Sequence, residues 1–225
     1  ITGSDSSHFK SSIQLIESLL KTNKNIEIVF YDLGLQISEI DELNNFNIEY
    51  KKFDFSNYPK FIELSQPDAG AYGWKPQILK AELNKTEGII IWMDAGNVVF
   101  KSLEKLKTII LNIGFYSPLS NGYVYQWTHN TTLDLLNIDS HILRKRMLNA
   151  AIIGLNTQNN KYKEFILNWS DLALKKEYIL PEGAGKTNHR WDQSLLTLIF
   201  YKKIKKRLFP RTHKYFGILT HQDID

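Results

Sequence analysis

Apolar positions along the chain repeat at helical spacing in some stretches and form short β-branched or aromatic runs in others. Phe9, Ile13, Ile16, Leu19 and Leu20 follow the cap-forming run Ser4 to Ser7 and share one helical face, which predicts a helix over about 7–22. Ile26 to Tyr31 is β-branched and aromatic and closes on Asp32-Leu33-Gly34, which reads as a strand and its turn. Ser38 is placed to cap a short helix through Leu43, and Phe46 to Phe53 alternates as a further strand. With a strand expected ahead of Thr2, the early chain reads βαβαβ. Pro76 suits the first turn of a helix whose apolar face is Ile78, Leu79 and Leu83. The stretch from Gly88 to Met93 is continuously apolar, as in a strand covered on both faces, and it ends at Asp94.

Later segments continue the alternation. Ser102 caps a helix to about Ile110, residues 113–126 suit strands and turns, and Asp139 to Arg146 suits a helix. Leu148 to Leu155 reads as a second buried strand, Lys161 to Leu174 as a helix with Phe165, Ile166 and Trp169 inward, and Trp191 to Tyr201 as another helix. The expectation is a single α/β domain over residues 1–225, with a central, mostly parallel sheet flanked by helices.

Composition narrows the chemistry more than the fold. The 225 residues are 43% hydrophobic and 23% charged, an ordinary globular balance that excludes disorder, collagen and coiled coil. The net charge of +4 is too mild to imply a nucleic-acid partner, and none is expected. Without cysteine there is no disulfide framework, thiolate metal site or cysteine nucleophile, so any metal must use Asp, Glu, His or Asn. No apolar run approaches the length of a membrane span and no leader opens the chain, which together with the absence of cysteine suggests a cytoplasmic protein. The start at Ile1 rather than methionine suggests an excised domain whose first strand is partly missing.

Open α/β sheets bind ligands beyond the carboxyl ends of their strands, so polar residues just after buried strands are the first candidates. Four clusters qualify: Thr2-Gly3-Ser4-Asp5, Asp94-Ala95-Gly96-Asn97, Asn156, and His189-Arg190-Trp191-Asp192-Gln193 at the start of a helix. Asp94 serves equally as a turn cap or as a carboxylate aimed at a metal or a sugar hydroxyl. Asp192 suits the positive end of a helix dipole, a reading that leaves Gln193 unexplained. Lys75 precedes a Pro-started helix and is placed to meet a phosphate there. Gly185-Lys186-Thr187 matches the end of a phosphate-binding loop, but the first glycine of that motif falls on Leu180, so 181–188 reads as a surface loop or lid. The basic cluster at 202–207 is either a solvated face or a peripheral contact with an anionic membrane surface.

Taken together these segments resemble a GT-A-type glycosyltransferase, a Rossmann-like nucleotide-sugar transferase. Thr2-Gly3-Ser4-Asp5 resembles the first nucleotide-contacting turn, and Tyr72-Gly73-Trp74-Lys75-Pro76 the loop and helix before the metal-site strand. Ile91-Trp92-Met93-Asp94-Ala95-Gly96-Asn97 resembles a variant of the Asp-x-Asp site. The run Asn149 to Asn156 is similar to the Asn-Ala-Gly strand of glycosyltransferase family 8, and Asp192-Gln193 to that family's Asp-Gln pair. The resemblance implies a donor-binding half at about 1–100 and an acceptor half at about 101–225. It further implies donor contacts from Thr2, Ser4, Asp5, Lys75, Asp94, Asn97, Asn149 and Arg190, and catalytic roles for Asp192 and Gln193, with retention of anomeric configuration. A divalent cation, Mn²⁺ or Mg²⁺, would sit at Asp94, with His213 or His221 as a further ligand, but Gly96 stands where the second carboxylate belongs.

The reading is therefore a glycosyltransferase moving a sugar from a nucleotide-sugar donor to a glycan, lipid-linked or protein acceptor. A sugar-phosphate nucleotidyltransferase shares a related sheet but would need a Gly-rich basic loop near the N-terminus, which is absent. A degenerate glycan-binding module is the non-enzymatic rival, motivated by Gly96 and by the aromatics Tyr123, Tyr125 and Trp127.

Overall fold

In a computed structural model of the chain, residues 1–204 and 212–224 are described. Strands β1 (Thr2–Asp5), β2 (Val29–Gly34) and β3 (Glu49–Lys52) pair in parallel in the order β1-β2-β3, with α1 (Phe9–Thr22) and α2 (Ile37–Leu43) as crossovers. The βαβαβ expectation holds with one correction. Thr2 to Asp5, expected to follow a strand, is itself the strand. Asp5 caps the turn leading into α1 by accepting from Ser7 N at 3.1 Å, and α2 is capped by Gln36 and Glu39 rather than by Ser38.

Helix α3 (Trp74–Leu83) leads into β4 (Ile89–Met93). The Ile1 amine donates to Ile91 O at 2.8 Å and Met93 N donates to Ile1 O at 2.9 Å, which sets the start of β1 alongside β4 in the parallel sense. Beyond β4 come β5 (Val98–Val99), α4 (Glu104–Ile113), β6 (Phe115–Tyr116), β7 (Leu119–Tyr123), β8 (Arg146–Leu148), β9 (Ile152–Asn156), α5 (Asn160–Ala173), α6 (Trp191–Lys203) and β10 (Ile218–Leu219).

The later part of the sheet departs from the mostly parallel expectation. β9 runs antiparallel to β4, from Met93 opposite Ile152 to Ile89 opposite Asn156, and β6 runs antiparallel to β9. The chain reaches β9 from the antiparallel pair β7 and β8, which delivers residues 149–151 to the Asp94 end of β4. Asn156 therefore lies at the opposite end of the sheet from Asp94, and the expected helix at 139–146 is a single turn, Ser140–Leu143, followed by β8.

Strand alternation distributes side chains to two cores. Tyr31, Leu33, Ile90, Trp92, Ile153 and Leu155 pack with α3, α5 and α6, while Phe30, Met93 and Ile152 pack with α1 and α4. Coverage on both faces accounts for the unbroken apolar run at 89–93. Among the described residues no helix is long and apolar enough to cross a membrane.

Candidate active site

The carboxyl ends of β1 and β4, the turn at 149–151 and the start of α6 surround a cleft of about 350 Å³. Of the residues singled out from sequence, Ser4, Asp5, Lys75, Asp94, Asn97, Asn149, Arg190, Asp192, Gln193 and His221 line it. Two do not. Thr2 borders a second cavity with Ile28 and Ile89, at the other end of the sheet, because β1 already runs through it. His213 lies in the turn His213–Phe216 ahead of β10, outside the cleft lining.

At the floor of the cleft a buried ammonium joins two carboxylates. Lys75, at the N-terminus of α3, is 3% exposed. Its Nζ lies 2.9 Å from Asp94 Oδ1, 3.3 Å from Asp192 Oδ2 and 3.4 Å from Ala150 O. The rings of Tyr72, Trp74 and Trp92 surround it at 5.5, 6.0 and 5.8 Å from their centroids. Burial alone would lower its pKa, but Asp192 and Asp94 outweigh that and hold it above the ordinary lysine value. The charge expected to meet a diphosphate is thus engaged within the protein.

Asp192 is equally enclosed, at 4% exposure. Burial pushes its carboxyl up to about 6, with Lys75 acting in the opposite direction and Asp94 reinforcing the rise. Oδ2 has no hydrogen bond beyond its ion-pair contact with Lys75. The backbone that presents it is strained, since Trp191 has φ of 42°, in the left-handed region, and its ring packs against Tyr72 at 5.9 Å. His189, part of the same sequence cluster, is a structural anchor. Its Nδ1 accepts from His129 N at 3.1 Å, and its Nε2 lies 3.0 Å from Ile179 O. Burial lowers its pKa to about 4, which keeps the ring neutral. Arg190 stacks its guanidinium over Trp127 at 4.1 Å and lines the cleft.

Asp94 completes β4 with its side chain 40% exposed. Oδ1 accepts from Trp92 Nε1 at 2.6 Å as well as from Lys75, whereas Oδ2 makes no hydrogen bond among the described residues. Asn97 Nδ2 donates to Ala151 O at 2.8 Å, and Asn149 Oδ1 accepts from Ala151 N at 2.9 Å, so the two turns are tied together beneath the cleft. Asp5 accepts from Ser7 N and Oγ and lies 3.3 Å from His8 Nδ1; mainly through His8, its carboxyl is lowered to about 2.

The donor set can be tested against a divalent cation. Among the described residues no three His, Asp or Glu side chains converge as a closed cage. An open carboxylate oxygen beside a solvent-facing cleft instead fits a cation of the Mg²⁺ type, held by one or two carboxylates with water and phosphate completing its shell. Sequence reasoning missed His8, Trp92 and Asp223, all in the cleft lining. The polar character of His8 and its position just after β1 were the only available signal for it.

Comparison with known proteins bears on the fold. A family described as "Protein of unknown function (DUF1647)" matches residues 1–80. No curated protein matches the chain. Among solved structures it is similar to the apo form of the bifunctional glycosyltransferase WbbM, at 18% identity and a TM-score of 0.56 over 90% of this chain and 37% of that one. It is also similar to mouse xyloside xylosyltransferase 1, at 11% identity and 0.54 over 92% and 82% of the two chains. The galactosyltransferase LgtC, solved with donor and acceptor sugar analogs, matches at 14% identity and 0.54 over 88% and 69%. The chain thus has the fold of GT-A-type glycosyltransferases, and it spans 37% of the length of the WbbM chain.

Proposed function

We propose that the chain is a glycosyltransferase of the family 8 kind, taking a nucleotide-sugar donor in the cleft between β1, β4 and the start of α6. The observation that carries this reading is the convergence of Ser4, Asp5, Asp94, Asn97, Asn149, Arg190, Asp192 and Gln193, drawn from distant segments, on one cleft at the carboxyl ends of parallel strands. Ser4 and Asp5 face the nucleoside, and Arg190 meets its phosphates. Asp192, oriented by Lys75, accepts hydrogen bonds from sugar hydroxyls. Gln193 turns its amide oxygen to the anomeric carbon, where positive charge develops as the glycosidic phosphate bond breaks. A divalent cation at Asp94, when bound, supplies positive charge to the departing nucleoside diphosphate. Because Asp192 is tied to Lys75 it is a poor candidate for a free general base, which favours retention over inversion. The acceptor is a glycan, free or carried on lipid or protein. Tyr123 and Tyr125 are exposed and stacked 5.9 Å apart, a surface suited to a sugar ring.

Thermal unfolding against nucleoside diphosphates and nucleotide sugars, each with Mn²⁺, Mg²⁺ or chelator, tests the donor site. Saturation at about 100 times Kd adds about 2.7 kcal/mol of stability, readily measured as a shift in Tm. Stabilisation by one nucleotide class, followed by NMR of the product anomer, is the expected course. Glycan binding with no response to any nucleotide would replace this reading with a glycan-binding module. Pyrophosphate release from a nucleoside triphosphate and a sugar phosphate would replace it with a nucleotidyltransferase.

A further inference from the structure

The turn after β4 has no side chain at Gly96, and its backbone does not demand glycine, because Gly96 lies outside the left-handed region. Space demands it. A Cβ built at Gly96 would stand 2.4 and 2.5 Å from Oδ1 and Oδ2 of Asp223, well inside contact distance. Asp223 belongs to the C-terminal segment after β10, which folds back across α1 and the β4 turn. Gln222 N donates to Gly96 O at 2.7 Å, and Gln14 Nε2 donates to Gln222 O at 3.0 Å. On the other side of Asp223, Ile224 N donates to Ser11 Oγ at 2.9 Å, and Ser11 Oγ lies 3.1 Å from Ile224 O. Asp223 is therefore held from both flanks with its carboxylate in the volume that a side chain at position 96 would enter.

Three groups at this point carry oxygens without protein partners among the described residues. Oδ2 of Asp94 and both oxygens of Asp223 make no hydrogen bond or ion pair among the described residues. Asn97, 1% exposed and lining the same cleft, leaves Oδ1 without a donor. A buried acceptor left unsatisfied is costly, and a cation is a natural group to relieve it. His8 lies within the field of both carboxylates; Asp5 foremost, then Asp223 and Asp94, raise its pKa.

We propose that Asp223, arriving from the other end of the chain, replaces in space the carboxylate that position 96 lacks, and with Asp94 forms the protein's share of a site for a divalent cation of the Mn²⁺ or Mg²⁺ class. The proposal deepens the donor-site reading by adding a ligand far from the β4 turn in sequence. Two carboxylates suffice for such a cation, whose other positions take water and phosphate oxygen. Glycine at 96 is then a consequence of the tail: a side chain there would push the ligand out.

Mn²⁺ binding to the protein without nucleotide, followed by EPR of the free ion, tests this independently of turnover. The wild type should bind Mn²⁺, and Asp94→Asn and Asp223→Asn should each weaken binding at least about tenfold, since even an outer-shell partner of a metal ligand is worth about 10–100-fold. Gly96→Ala should weaken it as well, by displacing Asp223 while leaving both carboxylates in the chain. In the double variant Gly96→Asp with Asp223→Gly the carboxylate is moved onto the turn and its space is cleared, so binding should return. Circular dichroism keeps unfolded variants out of the comparison. Absence of Mn²⁺ binding in the wild type up to millimolar concentration, or equal affinity in wild type and Asp223→Asn, overturns the proposal. Mn²⁺ binding that requires Asp94 and Asp223, without stabilisation by any nucleotide, upholds the cation site and removes the donor reading alone.

Discussion

Replacing Lys75 with methionine keeps the volume of the side chain and removes its charge. Asp94 is 40% exposed and regains water, so its share of the loss is small. Asp192, at 4% exposure, is left as a buried carboxylate whose Oδ2 has no remaining partner. Breaking a buried pair in this way costs about 3–5 kcal/mol. Protonation offers Asp192 an escape and caps the penalty. Starting from an unfolded-state pKa of about 3.9, neutralising the carboxyl at about pH 7.5 costs about 5 kcal/mol, and at about pH 5 about 1.5 kcal/mol. Urea unfolding should accordingly show Lys75→Met losing about 3–5 kcal/mol at the higher pH and no more than about 1.5 kcal/mol from this source at the lower. Adding Asp192→Asn removes the orphaned charge and should restore most of the loss. A loss under about 1 kcal/mol at about pH 7.5, an equal loss at both pH values, or a double variant no more stable than the single would refute the account of Lys75 as counter-ion to a buried carboxylate.

Other expectations follow from the same contacts. Between about pH 4 and 6 the folded protein binds more protons at Asp192 than the unfolded chain does, so its contribution to stability falls as pH rises, by up to about 3 kcal/mol. His189, lowered to about 4, has the opposite sign over an overlapping range, so the Asp192 term is read from the difference between wild type and Asp192→Asn, which should shrink with rising pH. Asp192→Asn should also abolish sugar transfer while leaving a folded protein by circular dichroism; unchanged turnover would remove Asp192 from the mechanism. Ser170→Ala strips the hydroxyl that Gln77 Oε1 accepts from at 2.7 Å between α3 and α5, and should cost about 1–3 kcal/mol in chemical denaturation. Tyr125→Ala should raise KM for a glycan acceptor and leave nucleotide affinity unchanged. Lys202 already donates to Leu136 O, Lys203 is exposed, and Lys205, Lys206 and Arg207 lie outside the described residues. A membrane role for the cluster predicts liposome binding that requires anionic lipid and fades with salt.

The period of apolar residues identified most of the helices and strands because each buries one face or two. It carries no direction, and that is where the reading of the sheet failed. Leu148 to Leu155 has the composition of a core strand whichever way it runs, and only the preceding antiparallel pair β7 and β8 sets β9 against β4. Asn156 was placed in the site by assuming parallel order, while Asn149 reached it because antiparallel order brings the start of the strand there. The burial of Lys75 was hidden for a related reason. A lysine before proline at a helix start ordinarily points into water, and the aromatic surroundings that enclose it come from Tyr72, Trp74 and Trp92 on two separate segments. Asp223 was beyond reach, since nothing local to it or to Gly96 signals their contact.

The position of Lys75 changes the electrostatic problem posed by a diphosphate donor. The sequence left Lys75 and Arg190 to stabilise the leaving group, with or without a cation at Asp94. With Lys75 held between Asp94 and Asp192, its charge is largely balanced before any ligand arrives. Asp223 and Asp5, the latter paired with His8, add negative charge to the cleft lining, and Arg190 with the protonated share of His8 supplies the remaining positive charge there. A nucleoside diphosphate entering such a site meets more repulsion than attraction unless a divalent cation comes with it. Nucleotide stabilisation should therefore vanish with chelator, and Asp223→Asn, by removing a repelling charge, should partly restore chelator-resistant binding even as it weakens binding of Mn²⁺. Opposite movement of those two affinities on one substitution separates a carboxylate that holds a cation from one that merely fills space beside Gly96.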